Sequence, residues 1–388
     1  MALSEATFLL SQQAQLTVPQ QALIARIKHF IAVHRDDKQA AVFVLHGDAG
    51  SGKSVVLNAV FTAVREPGMH LLVNHNEMLK VYKEIAGQTP GLYKKDFEKP
   101  TPFINRMQRQ EMRAVAVFVD EAHLLLSQPD PFNAYRGHNQ LADLLALAHV
   151  VVVVEDFAQV VKLKSHWDAT RLRQTLAGHV VEEATLDQQL RLQDEAVSTW
   201  INTFVQERRL LPLPHPKGYE LRVFDDGIPL YDWIQARDRR AGLARMIATT
   251  DFPFRVFGER TWWVDAGNLH LPWDKINFTD RPWASRPETL HEVGSIYTIQ
   301  GFDLNYAGVI LGPSLDYDPE AQRLVVLPER FEDQEAFRHR AGLGEAQKEA
   351  IILHVANILM KRGRLGLGLY AVNPRLEAQL QLLSTRTD

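Results

Sequence analysis

The residues best suited to chemistry form one octapeptide, Gly47-Asp48-Ala49-Gly50-Ser51-Gly52-Lys53-Ser54, which matches G-x-x-x-x-G-K-[ST] in full. Glycines let the backbone curl so that successive N–H groups face an anion, and a helix starting at the end of the loop adds its positive pole. Lys53 would reach the β- and γ-phosphates of a bound nucleotide, and Ser54 would ligate Mg2+ through its hydroxyl. Further along, Val117-Phe118-Val119-Asp120-Glu121-Ala122-His123 ends an apolar run in two adjacent carboxylates. Asp120 would hold the metal's shell, and Glu121 would orient or deprotonate an attacking water. A hydrophobic-Asp-Glu match alone is weak; together with the glycine loop it points to hydrolysis of ATP or a related nucleotide. His123, beside the acids, reads equally as a coupler of hydrolysis to a second site and as a packed, hydrogen-bonded histidine.

These residues need a strand before the loop, a helix after it and a second strand ending at the acids, and the sequence supplies each. AAVFVLHG is small and apolar, as a strand buried on both faces of a parallel sheet must be, and VVLNAVFTAV continues as a helix. LLVNHN then reads as a strand, MLKVYKEIA as a helix, AVAVFVDEAH as a strand, NQLADLLALA as a helix and HVVVVVED as a strand. That alternation predicts a parallel α/β sheet covered on both faces, with ligands at the C-terminal strand ends. From about 196 to 290 the rhythm is lost amid Pro, Trp and charge, although ARMIATTD and TWWVDA suit short strands. YAGVIL and GLGLYAV, separated by the helical AQKEAIILHVANILMKR, suggest a second α/β half.

The bulk composition sets bounds. A chain of 388 residues has room for two or three domains at about 150 residues each. The 46% apolar and 23% charged fractions are those of an ordinary folded protein. The absence of cysteine excludes disulfides, Cys-ligated zinc, iron–sulfur clusters and thiol nucleophiles, and the histidines lack H-E-x-x-H spacing, which argues against zinc. The start, MALSEATFLLSQQAQ, lacks a signal-peptide pattern, and the apolar stretch 144–154 is shorter than the roughly 18 residues a spanning helix needs. A cytoplasmic protein without a membrane segment is therefore expected.

A net charge of −4 offers no global argument for a polyanion partner, so binding of nucleic acid would rely on local patches. Lys94 with Lys95, the run Lys162, Lys164, Arg171 and Arg173, and the cluster Arg237, Arg239 and Arg240 qualify, although each also reads as a solvated surface. Trp262, Trp263, Trp273 and Trp283 are expected mainly in the core. Neighbouring residues on a strand face opposite ways, which leaves at most one of the adjacent pair for stacking.

Beyond these elements the chain resembles the superfamily 1 helicases, most closely the Schlafen group 3 type DNA/RNA helicase domain family, over most of its length. The most specific part is EVGSIYTIQGFDLNYAGVILGP, Glu292 to Pro313. EDFAQ is similar to the third helicase motif, which implies that Asp156 ends a strand and Gln159 senses the γ-phosphate. LDQQLR resembles the family's Gln-x-Arg element, implying a γ-phosphate contact for Arg191. TIQGFD resembles motif five, with Thr298, Gln300, Gly301 and Asp303 between nucleotide and nucleic acid. ILMKRGRLGLGLYAV resembles motif six and puts Arg362 where an arginine finger belongs. The family commonly has Thr before that arginine and this chain has Lys361, so Arg364 is an alternative finger. Lys361, Arg362 and Arg364 also read as positive charge at a helix C-terminus. Gln20 and Gln21 are weak choices for an adenine contact.

The expected fold is α/β, with two RecA-like parallel-sheet P-loop NTPase halves: 1–190 with the loop and acid pair, and 191–388 with an irregular insertion at about 200–285. The expected activity is that of an ATP- and Mg2+-dependent helicase or translocase on single-stranded DNA or RNA. The alternative is an NTPase switch that regulates a partner protein without translocation. A small-molecule kinase would use the same loop but offers no role for the late signature. Many relatives carry a further nuclease or other domain, so a separate partner such as a nuclease is also expected.

Overall fold

The computed structural model describes residues 16–47, 51–155, 167, 169–186, 194–254, 261–273, 281–299, 302–337 and 344–385. The chain divides into two compact units, Met1–Gln189 and Leu190–Asp388.

In the first unit, α1 (Val18–His34) opens on a capping box. Thr17 Oγ1 accepts from the Gln20 amide at 3.4 Å, and Gln20 Oε1 accepts from the Thr17 amide at 2.9 Å. There follow β1 (Ala41–Gly47), α2 (Lys53–Val64), β2 (Met69–Val73), α3 (Asn76–Gln88), β3 (Phe97–Glu98), α4 (Pro100–Gln110), β4 (Ala114–Asp120), α5 (Gln140–Leu147), β5 (Ala148–Glu155), α6 (Ala169–Leu176) and β6 (Val180–Leu186). Among the described residues the six strands form one parallel sheet in the order β3-β2-β4-β5-β1-β6. Alternate side chains serve opposite faces. Val42, Val44, Val117, Val119, Val151 and Val153 pack with Phe103 and Ile104 of α4 and Leu141, Leu144 and Leu145 of α5. Each such side chain contributes roughly 1.5–3 kcal/mol when fully buried. The apolar runs are continuous because both faces are covered. Strand β6 breaks that pattern: it lies at a sheet edge and exposes Val180 and Val181, so its mixed sequence, VVEEATL, carries no buried-strand signal.

The second unit contains α7 (Glu195–Asn202), β7 (Glu220–Val223), α8 (Gly227–Ala241), β8 (Ala244–Ala248), β9 (Trp263–Ala266), β10 (Leu269–Pro272), β11 (Val293–Gly294), α9 (Ile296–Ile299), β12 (Leu304–Leu311), β13 (Leu315–Asp318), β14 (Arg323–Val326), α10 (Glu345–Met360), β15 (Gly363–Ala371) and α11 (Pro374–Ser384). Its parallel sheet runs β11-β8-β12-β15-β7 among the described residues, and β9–β10 and β13–β14 are antiparallel pairs. The stretch 200–285 is therefore less irregular than its composition suggests, since β7 and β8 belong to the sheet and α8 packs with it. Strands of four or five residues are too short to show a period, which is why the alternation fades there.

Both units are thus α/β with parallel sheets, the RecA-like arrangement. Trp273 and Trp283 are buried, whereas Trp263 faces outward and stacks on His270 at 4.2 Å between ring centroids. Among the described residues no helix is long and apolar enough to cross a membrane.

Candidate functional site

The glycine loop leaves the C-terminal end of β1 and the acid pair leaves that of β4, with β5 between them. Two glycines explain how the chain turns there. A Cβ on Gly47 would lie 2.7 Å from the Leu186 carbonyl oxygen and 2.8 Å from Ser51 Oγ, so no larger residue fits. Gly52 has φ 87°, a left-handed conformation that side chains disfavour, just before Lys53 opens α2. Lys53 is buried and its Nζ donates to the Gly47 carbonyl at 2.5 Å, drawing the start of α2 toward the end of β1. Ser51 Oγ is buried without a hydrogen-bond partner among the described residues. A loop with an unused donor, a buried ammonium and a helix N-terminus fits a phosphate chain.

Ser54 Oγ donates to Asp120 Oδ1 at 3.0 Å, so the helix after the loop meets the end of β4. The same oxygen accepts from the Glu121 amide at 3.1 Å, and Asp120 Oδ2 accepts from the Tyr82 hydroxyl at 2.7 Å. Burial, followed by the adjacent Glu121 charge, raises the Asp120 carboxyl from its ordinary 3.8 to about 6; the bonds from Tyr82 and Ser54 oppose the rise. Burial, then the Asp120 charge, pushes the Tyr82 phenol well above its ordinary range. Glu121 itself has φ 53° and ψ 49°, a left-handed backbone that costs a non-glycine residue roughly 1–2 kcal/mol. Such strain persists where surrounding bonds over-determine it, and here the turn Ala122–Leu124 follows at once. His123 is buried with Nε2 3.2 Å from Glu121 Oε2. Of its two sequence readings, the packed histidine describes its surroundings, and its contact with Glu121 leaves the coupling role open to test.

The donor set suits Mg2+. Ser54 and Asp120 offer hard oxygens, and among the described residues no group of three or more His, Asp or Glu could hold a metal. Mg2+ takes one or two protein oxygens and completes its shell from phosphates and water.

A second cluster was not foreseen. His46, the residue before Gly47, hydrogen-bonds Glu155 of β5 through Nδ1 and Glu183 of β6 through Nε2, the latter at 3.0 Å. The strand order makes this possible because β5 and β6 flank β1. The Glu155 hydrogen bond, with help from Glu183 and against burial, raises the imidazole above its ordinary 6.5. Folded protein therefore binds this proton more tightly than unfolded protein does. The stabilisation is fully present below the unfolded value and is lost as pH rises through the folded one. Thermal stability of wild type is expected to fall as pH rises above the ordinary imidazole value of about 6.5, and His46→Gln to flatten that fall. Parallel pH curves for the two proteins would refute the clasp.

The remaining predicted residues are placed as follows. Arg362 is buried and its Nη1 donates to the Phe302 carbonyl at 3.4 Å, against the segment leading to Asp303. Arg364 Nη1 donates to Asn305 Oδ1 at 3.4 Å, and Lys361 Nζ to Asn202 Oδ1 at 2.6 Å. Thr298 Oγ1 exchanges bonds with Ser295, accepting from its amide and donating to its carbonyl, each at 2.9 Å. Gln20 is committed to the α1 cap and Gln21 Nε2 to the Leu16 carbonyl. Asp48, Ala49, Gly50, Asp156, Gln159, Arg191, Gln300 and Gly301 lie outside the described residues. Of the basic clusters, Lys94 and Lys95 are exposed, while Arg171 donates to the Ser127 carbonyl and Arg237 to Glu220. Lys162 and Lys164 are also outside the described residues.

Comparison with known proteins agrees with the resemblance read from the motifs. Residues 40–373 match the Schlafen group 3, DNA/RNA helicase domain family. An uncharacterized protein of Saccharomyces cerevisiae, YPL245W, is 35% identical, with 94% of this chain and 90% of that protein covered. Among solved structures, Arterivirus nonstructural protein 10 (helicase) with DNA has 14% identity and a TM-score of 0.38, covering 88% of this chain and 63% of its own. The chain thus spans less than two thirds of that protein. Pif1 helicase from Bacteroides, in complex with ADP-AlF3 and ssDNA, has 10% identity and a TM-score of 0.33, covering 91% of this chain and 92% of its own. With a family match over most of its length, the chain belongs to the Schlafen group 3 DNA/RNA helicase domain family.

Proposed function

We propose that this protein is an ATP-dependent helicase or translocase that couples ATP hydrolysis to movement on single-stranded DNA or RNA. The observation that supports it most is the 3.0 Å hydrogen bond from Ser54 Oγ to Asp120 Oδ1. Two oxygens from different elements are close enough there to share one small cation, in a chain of a DNA/RNA helicase domain family. In this reading Lys53 neutralises the β- and γ-phosphates, the loop amides cradle them, and Ser54 and Asp120 hold Mg2+. Mg2+ supplies charge neutralisation on the phosphate oxygens. Glu121 holds the attacking water and takes its proton. Gln159, Arg191 and Arg362 contact the γ-phosphate, and Gln300 and Gly301 contact the nucleotide. Loss of the γ-phosphate contact on hydrolysis releases the elements that grip the strand.

The test is an ATPase assay with and without single-stranded DNA and RNA over a salt series, followed by strand displacement. Several-fold stimulation that declines steeply with salt is expected, because binding releases counterions from phosphates. ATP turnover indifferent to both nucleic acids and to salt would instead make the protein a switch that regulates a partner.

A further inference from the structure

We infer that Tyr82 is a positioning residue of this site: its buried phenol, carried on α3, fixes the Asp120 carboxylate for metal binding. The inference rests on the proposed nucleotide site and adds a residue that no motif marks. Tyr82 is fully buried, and its hydroxyl donates to Asp120 Oδ2 at 2.7 Å. The other oxygen, Oδ1, accepts from Ser54 Oγ and the Glu121 amide. The carboxylate is thus held from both ends, and rotating it would break bonds on each oxygen.

The ring has little freedom to take the hydroxyl elsewhere. Tyr82 stacks on Phe97 of β3, with centroids 5.7 Å apart and planes at 15°. Phe97 meets Phe61 of α2 edge-on at 5.1 Å, and Phe61 meets Phe118 of β4 at 5.2 Å. These four rings join α3 to the helix that Lys53 opens and to the strand that ends in Asp120. A second bond, Asn74 Nδ2 to the Leu124 carbonyl at 2.8 Å, ties the β2–α3 connection to the turn after the acid pair. Phenylalanine would fill the same space with no hydroxyl to desolvate, so packing alone gives no reason for tyrosine; the acceptor on Asp120 does. Outer hydrogen bonds of this kind orient metal ligands, and removing one typically lowers metal affinity by about tenfold or more.

The experiment titrates Mg2+ into protein saturated with a fluorescent ADP analogue and, separately, measures binding of the analogue in EDTA. Tyr82→Phe is expected to raise the half-saturating Mg2+ concentration about tenfold while leaving metal-free nucleotide affinity unchanged. A purely structural loss would lower the folded fraction and leave the Mg2+ midpoint where it was. In an Asp120→Ala background, adding Tyr82→Phe should change nothing further, since the acceptor is already gone. An unchanged midpoint in folded Tyr82→Phe, or an undiminished effect in the Asp120→Ala background, would overturn the inference. Should Tyr82→Phe not fold, Phe97→Leu, which loosens the ring stack and keeps the hydroxyl, is expected to raise the midpoint and overturns the inference if it does not. A wild-type protein whose nucleotide binding ignores Mg2+ would instead refute the metal assignments of Ser54 and Asp120, and the inference with them.

Discussion

Glu121→Gln is expected to bind ATP as tightly as wild type and to hydrolyse it about a thousandfold more slowly. The side chain keeps its size and can still hydrogen-bond, but an amide cannot accept the water's proton, and general-base catalysis is worth about two to four orders of magnitude. Its left-handed backbone and the contact with His123 hold the group at the strand end, so the substitution removes charge without moving the main chain. Lys53→Ala provides the contrast. It deletes a buried ammonium that closes on the Gly47 carbonyl, and should weaken nucleotide binding itself, by roughly 10- to 100-fold for a lost charge-assisted contact. Fluorescent-nucleotide binding and phosphate release, measured on the same preparations, separate the two. Equal affinity and equal turnover in wild type and both variants would remove both assignments.

Arg362→Ala is expected to retain ATP and lose about three orders of magnitude in turnover, the usual effect of an arginine finger. Because the guanidinium is buried against the Phe302 carbonyl, Arg362→Lys is needed beside it, keeping charge and most of the bulk while losing the planar fork. Both variants should melt as cooperatively as wild type and hydrolyse poorly. Arg364, on β15 and bonded to Asn305, should tolerate alanine with a small effect. If Arg364→Ala shows the large loss and Arg362→Lys does not, the finger is Arg364.

Much of the first unit can be read from contiguous residues. The runs AAVFVLHG, AVAVFVDEAH and HVVVVVED appear as β1, β4 and β5, because a strand covered on both faces must be apolar throughout. The second unit was less legible for the same reason in reverse. β7, of four residues, is too short for a period, whereas ARMIATTD and TWWVDA do hold β8 and β9; in the first unit the edge strand β6 keeps polar side chains that a buried strand would exclude. Of the adjacent Trp pair only Trp263 lies on β9, exposed, while Trp262 precedes the strand and is partly buried.

The sequence by itself determined the glycine loop, the acid pair and the alternation of strands and helices. Each depends on neighbours along the chain: a turn needs its glycines in place, and a buried strand needs its apolar run. Only the tertiary structure decided what surrounds those residues. Tyr82 reaches Asp120 across 38 positions, and His46 reaches Glu155 and Glu183 across 109 and 137. Periodicity specifies which face of an element is buried but not which strands lie side by side. That order, set by how whole faces pack together, brings β5 and β6 against β1 and the phenol on α3 against the end of β4.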